Sequence, residues 1–109
     1  MDVQQRIQGE QRVLATLINL AMAKGYLIGV WDGFETIRAT TAEGALNIIF
    51  GVDESALHCY NPITKKPVAS FYIVLGNSPQ EVIADCSMNA ATDELNAQLD
   101  LFIEANFPD

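Results

Sequence analysis

The stretch that decides the fold is Val68-Ala-Ser-Phe-Tyr-Ile-Val-Leu75, the most apolar run of the chain. Rich in apolar residues and closed by Gly76-Asn77-Ser78-Pro79, it reads as a central, internal strand. On its N-terminal side, Ala56–Asn61 reads as another strand, joined to it through Pro62-to-Pro67 with Lys65 and Lys66. On its C-terminal side, Glu81–Cys86 completes a three-strand meander. Further upstream, Tyr26-Leu-Ile-Gly-Val-Trp31 and Phe34–Ala39 flank Asp32-Gly33, a dipeptide suited to the positive φ angles of a two-residue hairpin turn.

Three helical patterns surround these strands. Over residues 3–24, Val3, Ile7, Leu14, Leu17, Ile18 and Ala21 share one face, with Glu10 as the misfit, and Gly25 follows as a C-terminal cap. Thr40 stands three residues before Glu43, the spacing of a capping box, and opens a short helix over 41–50. Residues 90–105 form a closing helix with Leu95, Leu99, Phe102 and Ile103 on one face and Asp93, Asp100 and Glu104 on the other. The expected architecture is a single α+β domain over 1–109, ordered α-β-β-α-β-β-β-α, with a five-stranded, mainly antiparallel sheet packed against helices. A chain of 109 residues, half of them apolar, supports one core of this kind.

Strand alternation assigns Leu27, Trp31, Ile37, Ala39, Leu57, Cys59, Ala69, Phe71, Ile73, Leu75, Val82, Ala84 and Cys86 to the helix side. The opposite set, Tyr26, Ile28, Phe34, Arg38, His58, Tyr60, Ser70, Tyr72, Glu81 and Asp85, is mixed, aromatic and polar. Nothing in the sequence covers it. Either a helix or a second subunit of a homodimer lies there, or it is a binding surface.

Charge narrows the partners. The net charge is −8, and residues 1–80 carry seven acids against six bases, a net of −1. Residues 81–109 carry seven acids and no base. Such a field repels phosphate backbones and favours a protein with a basic surface, so direct nucleic-acid binding is not expected. No apolar run reaches the roughly 18–20 residues that span a bilayer, and MDVQQRIQGEQ lacks the layout of a signal peptide. A cytoplasmic location without membrane attachment is the expectation.

The residues that could carry chemistry do not converge. His58 and Cys59 are adjacent in a strand and so point to opposite faces, which separates a would-be base from its thiol. Cys59 and Cys86 fall on strands separated by a third, roughly 9–10 Å apart, beyond the ~7 Å limit for a disulfide. No CxxC or HxxxH spacing, phosphate-binding loop or nucleophile elbow is present. The expectation is a non-enzymatic protein with no cofactor and no metal. Its candidate partner-binding residues are Asp93, Asp100 and Glu104 on the last helix, and Arg38, His58, Tyr60 and Tyr72 on the sheet. A small-molecule-binding or regulatory module with a cavity beside the sheet is the alternative.

In AKGY (23–26), VWDGFE (30–35), FGVDES (50–55) and LGNSPQEVIADCSMN (75–89), the chain resembles a group of short uncharacterised proteins of proteobacterial and bacteriophage genomes. That resemblance implies a phage or prophage setting, in which small acidic proteins bind and block a host protein. The element order also resembles roadblock-type domains, dimeric scaffolds for regulatory GTPases, whose middle helix is longer than the 41–50 helix here.

Overall fold

The computed structural model describes residues 1–108. Three helices and five strands alternate in the expected order: α1 (Val3–Ala23), β1 (Leu27–Trp31), β2 (Thr36–Ala39), α2 (Ala42–Ile49), β3 (Glu54–Tyr60), β4 (Pro67–Val74), β5 (Ile83–Cys86) and α3 (Ala90–Asn106). A 3-10 turn, Pro79–Glu81, precedes β5. The strands form one antiparallel sheet in the order β2-β1-β3-β4-β5. The 68–75 segment is internal as expected, but β3 rather than β4 occupies the middle.

Local chemistry explains the boundaries. At the start of α1, Asp2 accepts from the Gln5 amide at 2.7 Å while the Gln5 side chain accepts from the Asp2 amide at 3.1 Å. Two otherwise orphaned donors are thereby satisfied. Val3, expected on the buried face, is 66% exposed, and Gln4 and Gln5 beside it are exposed as well. Thr41, not Thr40, caps α2 by accepting from the Gly44 amide at 3.0 Å. The β1–β2 connection is not a two-residue turn. Only Gly33 has positive φ, and the Asp32 carboxylate accepts from the Phe34 and Glu35 amides instead. The loop therefore spans Asp32–Glu35, which removes Phe34 from the strand and leaves it 93% exposed.

All three helices lie on one side of the sheet. Val13, Leu14, Leu17 and Ile18 of α1, Ala45 and Ile49 of α2, and Leu95 and Leu99 of α3 pack on Ile28, Val30, Ala39, Leu57, Cys59, Ala69, Phe71 and Ile73. This corrects the phase expected for β1. Ile28 and Val30 face the helices, and Leu27 and Trp31 face away. β1 is apolar at both phases, so pairing with β3 rather than alternation decides which side is buried. β5 departs as well. Ile73 pairs with Ile83 and Tyr72 with Asp85, so Ala84 is an extra residue in a bulge and is exposed. Val82 is buried but precedes the strand. Tyr26 and Glu81, expected on the far face, also lie outside the strands.

Glu10, the misfit of the α1 pattern, is 1% exposed. Its carboxylate accepts from the Arg6 guanidinium at 3.2 Å and from the Gly76 amide at 2.9 Å. The charge is thus tied to the β4 end of the sheet, and the departure from periodicity is a clamp between layers.

Candidate interaction surfaces

With every helix on one side, the other face of the sheet is open. Across strands, Arg38, Gly29, His58 and Ser70 form one row, and Thr36, Trp31, Ala56, Tyr72 and Asp85 form the next. Leu27 pairs with Tyr60 on the same face. Four of the sequence-identified candidates, Arg38, His58, Tyr60 and Tyr72, therefore do share a surface.

Their geometry is tied to neighbours. A Cβ on Gly29 would meet the Thr36 methyl at 2.9 Å and the Tyr60 ring at 3.2 Å, so the missing side chain is what lets Tyr60 lie across β1. His58 and Tyr60 stand with ring centroids 6.3 Å apart. His58 Nδ1 is 2.8 Å from Ser70 Oγ, and partial burial holds its pKa below the usual histidine value. The Tyr72 hydroxyl donates to Glu54 Oε1 at 2.7 Å, and that bond, with some burial, raises its pKa. Two shallow clefts flank this aromatic ridge. One, of about 410 Å3, is lined by Leu27, Gly29, Thr36, Arg38, Tyr60 and Lys65. The other, of about 330 Å3, includes Ala56, His58, Ser70, Tyr72 and Asp85.

Two features of this face escaped the sequence reading. Trp31 belongs to it rather than to the core, and Lys65 joins it from the β3–β4 loop. Lys65 has φ 63°, stabilised where Asn61 Oδ1 accepts from the Ile63 and Thr64 amides and the Lys65 amide donates to the Asn61 carbonyl. A glycine between apolar residues of both phases was the available signal for the first. The second depends on loop geometry with no sequence signature.

The remaining candidates lie elsewhere. Asp93, Asp100 and Glu104 are exposed on α3, opposite Leu95 and Leu99, and therefore on the helix side of the molecule. The structure separates them from the sheet-face group. Their neighbour Glu94 pairs with Lys24.

His58 and Cys59 diverge as expected: the histidine lies on the open face and the thiol in the core. Burial pushes the Cys59 thiol up to about 12. Both cysteines are free, on strands separated by β4. Among the described residues, no three His, Cys, Asp or Glu side chains gather as metal ligands would, and no helix is long and apolar enough to cross a membrane. No family model, curated protein or solved structure matches this chain.

Proposed function

We propose that the chain is a small acidic interaction protein, acting by contact rather than catalysis, in a phage or prophage setting where it binds and blocks a host protein. The observation that carries this reading is the open sheet face bearing Trp31, Tyr60, Tyr72, His58 and Arg38. Aromatic, arginine and histidine side chains combine apolar area with directional polar tips, the mixture favoured at protein contacts. The acidic stripe of Asp93, Asp100 and Glu104 supplies a second surface on the opposite side, suited to a basic host partner. A module for small anions is the alternative reading, favoured by Arg38 and Lys65 converging on one cleft.

The test is capture from a bacterial lysate with three baits: the native chain, a triple charge reversal (Asp93→Lys, Asp100→Lys, Glu104→Lys), and Tyr60→Ala with Tyr72→Ala. All these side chains lie outside the core, so circular dichroism should report native folding. The native chain is expected to retain a basic protein with an affinity that falls as salt rises. The reversal should abolish that salt dependence along with the binding. If both folded variants retain every partner of the native chain, the proposal is refuted.

A further inference from the structure

Six lysines and arginines stand against fourteen acids in this chain, and they are not used alike. Arg6 pairs with Glu10, Lys24 pairs with Glu94, and Arg12 donates to Asn106 and lies over the rings of Phe102 and Phe107. Among the described residues, Arg38, Lys65 and Lys66 take part in no ion pair and no cation–π contact. Arg38 and Lys65 line one cleft of about 410 Å3, and Lys66 is next in the chain. No acid lines that cleft. The unengaged bases of a chain with net charge −8 thus gather at a single place.

Both walls of the cleft are fixed in shape. Lys65 holds a φ of 63°, a backbone conformation that costs energy in a residue with a side chain. The loop that imposes it is tied at Asn61, whose amide donates to the Lys66 carbonyl and whose carbonyl accepts from the Lys65 amide, both at 2.9 Å. Opposite, Gly29 leaves the space in which the Tyr60 ring lies, and that ring with Leu27 makes an apolar wall. The acids of the open face stand clear. Glu54 is six residues along β3 from Tyr60, about 20 Å away, and is engaged by the Tyr72 hydroxyl. Asp85 lies two strands from Tyr60 and four residues off its row, about 16 Å away. In the β1–β2 loop, Glu35 is three residues from Arg38, about 10 Å along the chain, and the Asp32 carboxylate is occupied by two amides. Charges about 10 Å or more apart are largely screened at roughly 0.1 M salt, so the cleft is locally cationic in an acidic protein.

We infer that this cleft binds a small phosphate monoester carried on a planar ring. The inference rests on the alternative reading given above, a module for small anions, and names its ligand. A phosphate monoester carries close to two negative charges at neutral pH, which a single carboxylate or sulfonate does not. Two cations of different kind suit it: Arg38 offers a planar fork to a pair of oxygens, and Lys65 a point charge to the third. The ring packs on Tyr60 and Leu27. At about 410 Å3 the cleft is at the small end of the roughly 300–1,000 Å3 of ligand sites, enough for one ring and one phosphoryl group.

Titration of the isotope-labelled full chain, followed by NMR at constant ionic strength, tests the inference with phenyl phosphate, inorganic phosphate and benzenesulfonate. Phenyl phosphate should bind in the millimolar range or tighter, shifting the amides of Leu27, Gly29, Arg38 and Lys65. It should exceed benzenesulfonate, which has the ring but one charge, and inorganic phosphate, which lacks the ring, by at least about threefold each. Arg38→Gln and Lys65→Asn should each weaken it by at least about threefold, asparagine being a residue that tolerates the left-handed backbone. Arg12→Gln removes the same charge from the helix side and should leave binding unchanged. Tyr60→Ala should bring phenyl phosphate down to the affinity of inorganic phosphate, with the fold of every variant checked by circular dichroism. Binding that Arg12→Gln lowers as much as Arg38→Gln overturns the inference, since the field of the whole chain would then account for it. Equal affinity for benzenesulfonate and phenyl phosphate also overturns it, while leaving the anion module in place. If none of the three ligands binds, the anion module and the inference both fall.

Discussion

Replacing Gly9 by alanine sets two effects of opposite sign against each other. Gly9 lies at the end of the second turn of α1, where alanine is favoured over glycine by about 1 kcal/mol. Propensity alone therefore forecasts a more stable protein. Packing forecasts the reverse. A Cβ built at Gly9 would lie 2.5 Å from Pro79 Cγ, 3.2 Å from Pro79 Cβ and 3.1 Å from Phe107 Cε1. Carbon atoms rest at about 3.5–4.0 Å, so the layers would have to part by roughly 1 Å. Pro79 is buried and rigid, and the 3-10 turn that it begins leads directly into Val82 and β5. Overpacking of this sort costs about 1–3 kcal/mol, and a close contact with a rigid ring belongs at the upper end. The net expectation is a loss of about 1–2 kcal/mol, read as a lower urea midpoint and a melting temperature reduced by several degrees. A double-mutant cycle isolates the cause. In a Pro79→Ala background the ring is gone, and Gly9→Ala should become neutral or stabilising, a coupling of about 2 kcal/mol. A higher midpoint for Gly9→Ala in the native background would refute the packing argument. Equal effects in both backgrounds would refute the assignment to Pro79.

Three further outcomes follow from groups described above. Glu10→Ala removes the buried carboxylate that the Gly76 amide and the Arg6 guanidinium share and should cost about 1.5–3 kcal/mol in denaturant unfolding, whereas Glu10→Gln keeps an acceptor and should cost about 1 kcal/mol. His58 is depressed below its ordinary 6.5 in the folded state. The unfolded chain therefore takes up the proton first, and stability should fall as pH drops below 6.5, a slope that His58→Gln should lack when melting curves of the two proteins are compared. With its thiol near 12 and fully buried, Cys59 should resist iodoacetamide in the native protein while the half-buried Cys86 reacts. Peptide mapping should find both modified only after denaturation, without any reducing agent.

The element order was legible because its signals are local: Gly25, Gly51 and Gly76 close segments, and helical or alternating periods fill the gaps. The two misplaced strands show where local signals end. β1 is apolar at consecutive positions, so only its partner β3 determines that Ile28 and not Leu27 is buried. β5 has an extra residue, which the sequence does not mark and which shifts Ala84 out of phase. These failures bear on the candidate site directly, since the same one-residue error moved Trp31 from the open face into the core. The acidic face of α3 was read correctly because a long helix averages over several turns. Glu10 looked like an error of pattern because its partners, Arg6 and a backbone amide 66 residues away, are only partly visible in sequence.

The strand order β2-β1-β3-β4-β5 has a kinetic consequence. Four consecutive strand pairings exist in the sheet, and three of them, β1–β2, β3–β4 and β4–β5, join neighbours in the chain. Only the β1–β3 seam spans a helix, bringing Leu27 to Tyr60 and Trp31 to Ala56. Each side of the seam contains its own hairpins and closes short loops, which form quickly, while the seam bears the larger closure entropy. Zipping of that seam is therefore the expected slow step in folding, and the ring of Tyr60 resting across Gly29 lies at one end of it. Cutting the chain at Gly51–Asp53 would therefore leave two fragments whose reassociation measures that seam together with the contacts of α1 to α3, Pro79 and Gly76 above it.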